Sequence, residues 1–413
     1  MRILPLVLAM TTITPAHAET WSGMRTTVDG VEHVSNPATP MQDGVTIHLN
    51  EAWRIGGETD NEKELFGVVW RIATDDSGQV YVLDRQLSEV RVFDRDHGRY
   101  LRTVGREGEG PGEFRRPTDM FFLSGRDLAV VQVFPPRIEI LSREGVPTGE
   151  LPFPKHDGPQ MLRRMIPVSD RFALARRVQQ YNETSYTIYE TIDLMDREGT
   201  VLSTLESHTF EMGFASFKLR EQDFDVFQSR FAVGPNSRIY TCPTRRGYTI
   251  NVWSTDGALT RVIEREYESH RRSAKEHDRV QRLWDAYGRT NENATAEVDD
   301  YDKDIAKIYP RPDGTLWALT SQGVREKPAG SLGVFDVLDA DGRFLRQLTL
   351  VGEGDPVEDS YFFTADRLFV VTKVLEADAA SRGGAQPDED EEEPTPTEII
   401  CYELGPDLTA HRE

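Results

Sequence analysis

Cysteine is nearly absent: the 413 residues contain two, Cys242 and Cys401, too few for a disulfide framework and in no metal-ligand spacing such as C-x-x-C. The pair reads as two buried thiols packed as small hydrophobes. Basic residues are also in deficit, with 48 Lys and Arg against 70 Asp and Glu, for a formal net charge of −22. So acidic a surface repels phosphate backbones and anionic lipid, which argues against nucleic-acid or membrane binding by bulk charge; an anionic partner would need a local basic patch. Long apolar runs are missing, so no membrane span is expected. There is no G-x-S-x-G elbow and no cysteine beside a histidine in a reactive motif, which removes the commonest nucleophilic designs. With 38% hydrophobic residues the chain is still far too apolar to be disordered throughout, and its length suits one large or two ordinary domains.

The first eighteen residues read as a secretory signal: Arg2, an apolar stretch from Ile3 to Ile13, and the small-x-small site Ala16-His17-Ala18. Cleavage after Ala18 and export to the periplasm or extracellular space are expected, without a lipid anchor, since no cysteine adjoins the site. Sequons at Asn182-Glu183-Thr184 and Asn293-Ala294-Thr295 matter only if the exporting cell glycosylates them.

A turn pair followed by alternating apolar residues recurs six times: Ser77-Gly78 before Val80-Tyr81-Val82, Ser124-Gly125 before Leu128-Ala129-Val130, Ser169-Asp170 before Phe172-Ala173-Leu174, Asn236-Ser237 before Ile239-Tyr240-Thr241, Asp313-Gly314 before Leu316-Trp317-Ala318, and Ala365-Asp366 before Leu368-Phe369-Val370. A second unit, a strand-like run ending in an acidic glycine turn, recurs five times, at Asp96-His97-Gly98, Glu144-Gly145, Glu198-Gly199, Asp256-Gly257 and Asp341-Gly342. Glycine supplies the positive φ of a tight hairpin there. Each repeat thus reads as a four-stranded antiparallel blade, and the expected fold is an all-β, six-bladed β-propeller over residues 45–413, behind an N-terminal extension at 19–44. The sixth repeat stops at its third strand, Ile399 to Leu404, so its fourth must come from elsewhere; the alternating segment Val45-Thr46-Ile47-His48-Leu49 is expected to supply it and close the ring.

One connection carries a family signature. Val104-Gly105-Arg106-Glu107-Gly108-Glu109-Gly110-Pro111-Gly112-Glu113-Phe114, followed by Pro117, resembles the G-x-x-G-x-G-P-G-x-F…P linker of NHL-type propeller repeats, as do Gln79 to Asp84 and Val90 to Asp94 around it. The resemblance is strong in the first blade, fair in the second, fifth and sixth, and weak in the third and fourth. It implies a six-bladed propeller over nearly the whole mature chain. As a phosphate loop the same glycines fail, because no helix pattern follows them.

Three insertions stand out. Residues 208–227 carry Phe210, Phe214, Phe217, Phe224 and Phe227; residues 264–300 place Val280, Leu283, Trp284 and Tyr287 at helical spacing; residues 376–396 hold the acidic run 388–393. The second is expected to form one or two amphipathic helices, and the third a solvated disordered loop. The first two connect an outer strand to the next blade and should lie over one mouth of the central channel, roofing a pocket or merely packing on the blades.

On that face the connections between second and third strands contain Arg85, Arg137, Arg176 with Arg177, Arg245 with Arg246, Arg325 and Lys373. A basic basin for a carboxylate, sulfate or phosphate group follows, unless these residues simply pair with the surplus carboxylates. Some NHL-type propellers, the peptide-amidating lyases, hold zinc with channel histidines, and calcium-dependent lactonase propellers use carboxylates. The resemblance therefore leaves a metal-dependent lyase or hydrolase with Zn or Ca as the alternative, for which His156, His208, His270 and His277 are the candidate ligands, although none sits at a repeat position. Asp84 reads as an Asp tying down its own loop rather than an acid or base. The reading as a whole is an exported monomeric propeller that binds a protein or small anionic ligand at the channel mouth, with no resident cofactor.

Overall fold

The computed structural model describes residues 21–123, 126–215, 217–224, 230–288, 294–381, 396–405 and 408. The proposed signal, the Ser124-Gly125 turn, Phe227 and the acidic run 388–393 lie outside the described residues. The strands assemble as six antiparallel blades in chain order. Blade 1 comprises Val69–Thr74, Val80–Asp84, Glu89–Phe93 and Tyr100–Val104, and blade 2 comprises Pro117–Phe122, Leu128–Gln132, Arg137–Leu141 and Pro147–Glu150. Blade 3 is the longest, with Gln160–Val168, Arg171–Tyr181, Ser185–Met195 and Val201–Gly213; blade 4 has Phe231–Val233, Ile239–Thr241, Thr249–Trp253 and Leu259–Arg265. Blade 5 uses Ile305–Pro310, Leu316–Thr320, Ser331–Leu338 and Phe344–Val351, and blade 6 begins with Ser360–Phe363, Arg367–Val371 and Glu398–Glu403. Four helices are described: α1 (Glu221–Phe224), α2 (Ala274–Gly288), α3 (Ser321–Arg325) and α4 (Val374–Ser381).

Buried apolar side chains fall into seven clusters, six of them between two consecutive blades rather than in one slab between two sheets, and the seventh around Phe210 where blade 3 meets the insertions. Phe93, Phe369 and Trp53 share the cluster between blades 6 and 1, while Tyr81, Phe114 and Met120 share the next. Such a distribution requires sheets arranged radially, because every sheet buries both of its faces. The family-like connection after blade 1 has a packing role: Gly105 has φ +71°, and a Cβ there would come within 2.3 Å of the buried Phe114 ring.

The ring is closed by the N-terminal region, but one strand later than the alternation suggests. Asn50–Gly56 pairs antiparallel with Glu398–Glu403, from Asn50 opposite Glu403 to Gly56 opposite Glu398. Val45–His48 instead lies parallel to Phe344–Val351, as a fifth strand outside blade 5. Two physical features separate the segments. Trp53 and Ile55 are 7% and 6% exposed and enter the core between blades 6 and 1, whereas Val45 and Ile47 only cover blade 5. Twelve residues separate Gly56 from Val69, as twelve separate Val104 from Pro117. Further upstream, the hairpin Met24–Val28 and Val31–Asn36 joins blade 4 by parallel pairing with Leu259–Arg265. Asn36 clamps this segment: its amide donates to the Glu264 and Gly342 carbonyls at 3.0 and 2.9 Å and its oxygen accepts from Phe344 N at 2.7 Å.

Candidate functional site

Four inner strands share a local irregularity that aims side chains toward the axis. Their pairing shifts between Val69 and Arg71, Pro117 and Asp119, Leu162 and Arg164, and Ile305 and Lys307. A bulge adds one residue to one strand and re-aims the side chain that follows it. Here the following residues are Arg71, Asp119, Arg164 and Lys307, contributed by blades 1, 2, 3 and 5.

These four form an axial cluster. Arg71 Nε lies 3.2 Å from Asp119 Oδ1, and Asp119, 1% exposed, accepts from Met165 N of blade 3 through Oδ2 at 2.9 Å. Arg164 Nη1 donates to the Phe231 carbonyl of blade 4 at 2.7 Å, with its guanidinium 4.9 Å from the Phe231 ring centroid. No side-chain hydrogen bond or ion pair is found for Lys307 among the described residues. Burial, then the charges of Arg164, Lys303 and Arg71, push its amine down to about 8. Burial and Arg71 likewise lower Arg164 to about 9, with Asp119 opposing. Arg71, Arg164 and Lys307 each keep some accessible surface although the inner strands surround them, so that surface faces the channel. Tyr309, two residues beyond Lys307, has a buried hydroxyl without a hydrogen-bond partner among the described residues, and burial raises its pKa. Three cations against one carboxylate make the channel locally positive inside an acidic protein.

The cations read from the sequence lie nearer the rim and carry partners. Arg85 stacks 4.7 Å from the Trp70 ring and pairs with Asp378 of α4 at 3.4 Å, beside a cavity of about 170 Å³ that Arg116 and Ser381 also line. Arg137 donates to the Glu109 and Glu113 carbonyls and sits 3.7 Å from Glu139. Arg176 pairs with Asp193 at 2.7 Å and Arg177 donates from Nε to Glu190 at 2.7 Å; both lie within a strand rather than a loop. Arg245 joins Glu221 at 2.8 Å and Asp299 at 3.3 Å, Arg325 joins Asp302 at 2.8 Å, and Lys373 lies 3.8 Å from Glu376. Arg246 is exposed and rests over Tyr301, 5.2 Å from its ring centroid. The rim is thus largely neutralised, and the excess positive charge lies deeper.

The two long insertions meet above the mouth. Phe210 is 5.0 Å from Phe224 and Phe224 5.8 Å from Trp284, centroid to centroid, within a cluster that also takes in Phe217 and Leu219. Backbone pairing reinforces the contact, because Phe217–Arg220 runs parallel to Ala294–Glu297. The 264–300 insertion therefore holds one helix, α2, and one strand. Ser273 caps α2 in a reciprocal box with Glu276: Ser273 N donates to Glu276 Oε2 at 2.8 Å, and Glu276 N to Ser273 Oγ at 3.4 Å. Trp284 holds α2 to the blade 3 insertion, while Arg279 pairs with Glu358 just before blade 6. The helix is thus held on one side to the blade 3 insertion and on the other to the segment that leads into blade 6. Arg272 secures its root, with Nη1 2.7 Å from Glu221 and Nε 2.7 Å from Asp302. Phe214 is exposed and stacks outside this roof on Tyr181 and Tyr186.

The candidate histidines are separated. His156 Nδ1 accepts from Gly158 N at 2.9 Å, His208 packs 5.6 Å from Phe210, His270 lies 3.3 Å from Glu276, and His277 lies 3.9 Å from Asp300. Among the described residues no group of three or more His, Cys, Asp or Glu is placed to hold a metal ion. Asp84 fastens its own surroundings, accepting from the backbone of Gly67 and Val68 at 2.7 and 3.2 Å and of Gln86 and Leu87 at 2.9 Å each. Cys242 and Cys401 are free and buried in different inter-blade clusters, and burial pushes both thiols up to about 12.

A family model described as a 6-bladed beta-propeller matches residues 55–137, which take in blade 1 and the first two strands of blade 2. The chain is a six-bladed propeller. Its solved likenesses include an exported protein from Bacteroides fragilis (12% identity, TM-score 0.47, covering 87% of this chain and 99% of that one). They also include virginiamycin B lyase from Staphylococcus aureus (9%, 0.42, 85% and 99%) and a gluconolactonase from Xanthomonas campestris (11%, 0.42, 86% and 98%). The fold rests on the strand pairing and the family model, not on these distant likenesses. No curated protein matches the chain.

The channel residues escaped the sequence reading, yet a signal was present. Arg71, Arg230 and Lys307 each stand nine residues before the first residue of a second strand, Val80, Ile239 and Leu316. The signal is imperfect, because Arg230 donates from Nη1 to the Thr244 carbonyl at 2.8 Å and is buried.

Proposed function

We propose that this propeller is an exported binding module whose axial channel takes a small anion, a carboxylate, sulfate or phosphate group, against Arg71, Arg164 and Lys307. The observation that carries the reading is the bulge-set cluster of three cations with Asp119 as its carboxylate. Guanidinium groups recognise such oxygens with charge-assisted, often bidentate bonds, and these strengthen where surrounding protein displaces water. Among the described residues no helix is long and apolar enough to cross a membrane. Export follows from the Arg2-to-Ala18 signal, and N-terminal sequencing of secreted protein should begin at Glu19.

Titration calorimetry with sulfate, phosphate and succinate, using chloride as control, tests the site. Binding that weakens about tenfold or more in Arg164→Ala and in Lys307→Met, while Arg85→Ala and Arg245→Ala change it little, is expected for a channel site. Equal loss from the rim variants would move the site to the mouth, and no binding of any anion by the parent protein would overturn the reading.

A further inference from the structure

Lys307 differs from the other channel cations in how it is held. Arg71 is ion-paired with Asp119, and Arg164 donates to the Phe231 carbonyl, so both guanidiniums have protein partners. The Lys307 amine has no such tether among the described residues, and its accessible surface opens on the channel. The charged groups acting on it are Arg164 of blade 3, Arg71 of blade 1 and Lys303 just upstream on its own segment; the channel carboxylate Asp119 is bound to Arg71. Tyr309 follows two residues along the same strand with its hydroxyl unpartnered among the described residues. Like charges and burial both favour the neutral amine, which reaches half-population at about pH 8.

An uncharged lysine amine is a nucleophile toward carbonyl carbon, and neighbouring cations are an established way of freeing it. Two guanidiniums beside it select a ligand that also bears an anionic group. We propose that Lys307 captures small anionic aldehydes and ketones, of the 2-oxo acid type, as a Schiff base inside the channel, with the anionic group held by Arg71 and Arg164. The proposal rests on the anion-binding reading and assigns a chemical class to its ligand. In the step, the Lys307 Nζ lone pair forms a bond to the carbonyl carbon while the carbonyl π pair moves to oxygen. One proton passes from nitrogen to that oxygen, giving the carbinolamine. Loss of the hydroxyl with the remaining amine proton, as one water, leaves the C=N bond. Amine plus carbonyl thus gives imine plus water, and nothing is oxidised or reduced.

Glyoxylate is the probe. Intact protein is incubated with it across pH 6 to 10, trapped with borohydride, digested and mapped by mass spectrometry. A dominant adduct on Lys307 is expected, rising with a midpoint near pH 8 and outpacing the exposed Lys63 and Lys155. Arg164→Ala should reduce the Lys307 adduct about tenfold and leave the exposed lysines unchanged, and uncharged acetaldehyde should favour Lys307 about tenfold less than glyoxylate does, keeping only the preference that the neutral amine confers. Lys307→Arg keeps the charge and must abolish the adduct, with its melting curve showing that the fold persists. Labelling of Lys307 no faster than the exposed lysines, or indifferent to Arg164→Ala, overturns the proposal. Sulfate binding without an adduct rejects covalent capture alone, whereas loss of both rejects the anion site as well.

Discussion

Removing Asp119 is the sharpest test of how the channel is built. Its carboxylate is 1% exposed, accepts from Met165 N at 2.9 Å and from Met120 N at 3.0 Å, and lies 3.2 Å from Arg71 Nε. Asp119→Ala strands a buried amide and leaves Arg71 uncompensated. Breaking a buried pair from one side costs about 3–5 kcal/mol, a range that already includes the orphaned partner. Asp119→Asn keeps an acceptor oxygen and loses chiefly the charge, for about 2 kcal/mol. Unfolding entropy near 2.1 cal/mol/K per residue over roughly 400 residues gives about 0.8 kcal/mol/K, so calorimetry should place the midpoints about 5 °C and about 2–3 °C below the parent. Sulfate should then distinguish charge from hydrogen bonding. Because Asp119→Asn makes the channel more positive, added sulfate should raise its midpoint more than it raises the parent's. An Asp119→Ala midpoint within about 1 °C of the parent, or weaker sulfate binding by Asp119→Asn, would refute the reasoning.

Other consequences are equally direct. Trp53 donates from Nε1 to the Arg95 carbonyl at 2.8 Å and packs 5.9 Å from Phe369, so Trp53→Ala should cost about 3–5 kcal/mol in urea unfolding, while Ile47→Ala on the outer strand of blade 5 should cost about 1–2. Lys307, held near 8 when folded against about 10.4 unfolded, carries fewer protons in the native state between those pH values, so its charging penalty is full below pH 8 and fades as pH rises. Lys307→Met should therefore be more stable than the parent at pH 7, by about 1–3 kcal/mol after discounting for part exposure, with the advantage gone near pH 10.5. Arg272→Ala leaves Glu221 and Asp302 short of a partner and should speed limited proteolysis within 274–288 at least several-fold, with the blades intact by circular dichroism. Thiol titration of denatured, unreduced protein should find both Cys242 and Cys401, and native protein should react slowly, since burial holds each near 12.

Much of the architecture was readable because blades are local. A glycine or Asx turn between alternating segments, as at Ser77-Gly78 or Asp313-Gly314, sets a hairpin within about ten residues, and repetition turns six such hairpins into a ring. The insertions were legible as insertions, and helical spacing identified α2 around Trp284. The closing strand was misplaced because Val45–His48 and Asn50–Gly56 both alternate, and alternation shows that a strand has two faces without naming its partner. The rim arginines were found by position, but their carboxylate partners come from distant segments: Asp378 meets Arg85, and Glu221 meets Arg245 and Arg272.

By itself, then, the sequence determined the number of blades, the succession of strands within each repeat and the three places where the chain departs from it, since each depends on residues only a few positions apart. Tertiary structure alone decided that Trp53 rather than Ile47 locks the ring, that α2 is held to the segment leading into blade 6, and that Arg71, Asp119, Arg164 and Lys307 share one axis. Those residues come from four blades and converge only because a bulge in each inner strand turns them inward once the ring has closed.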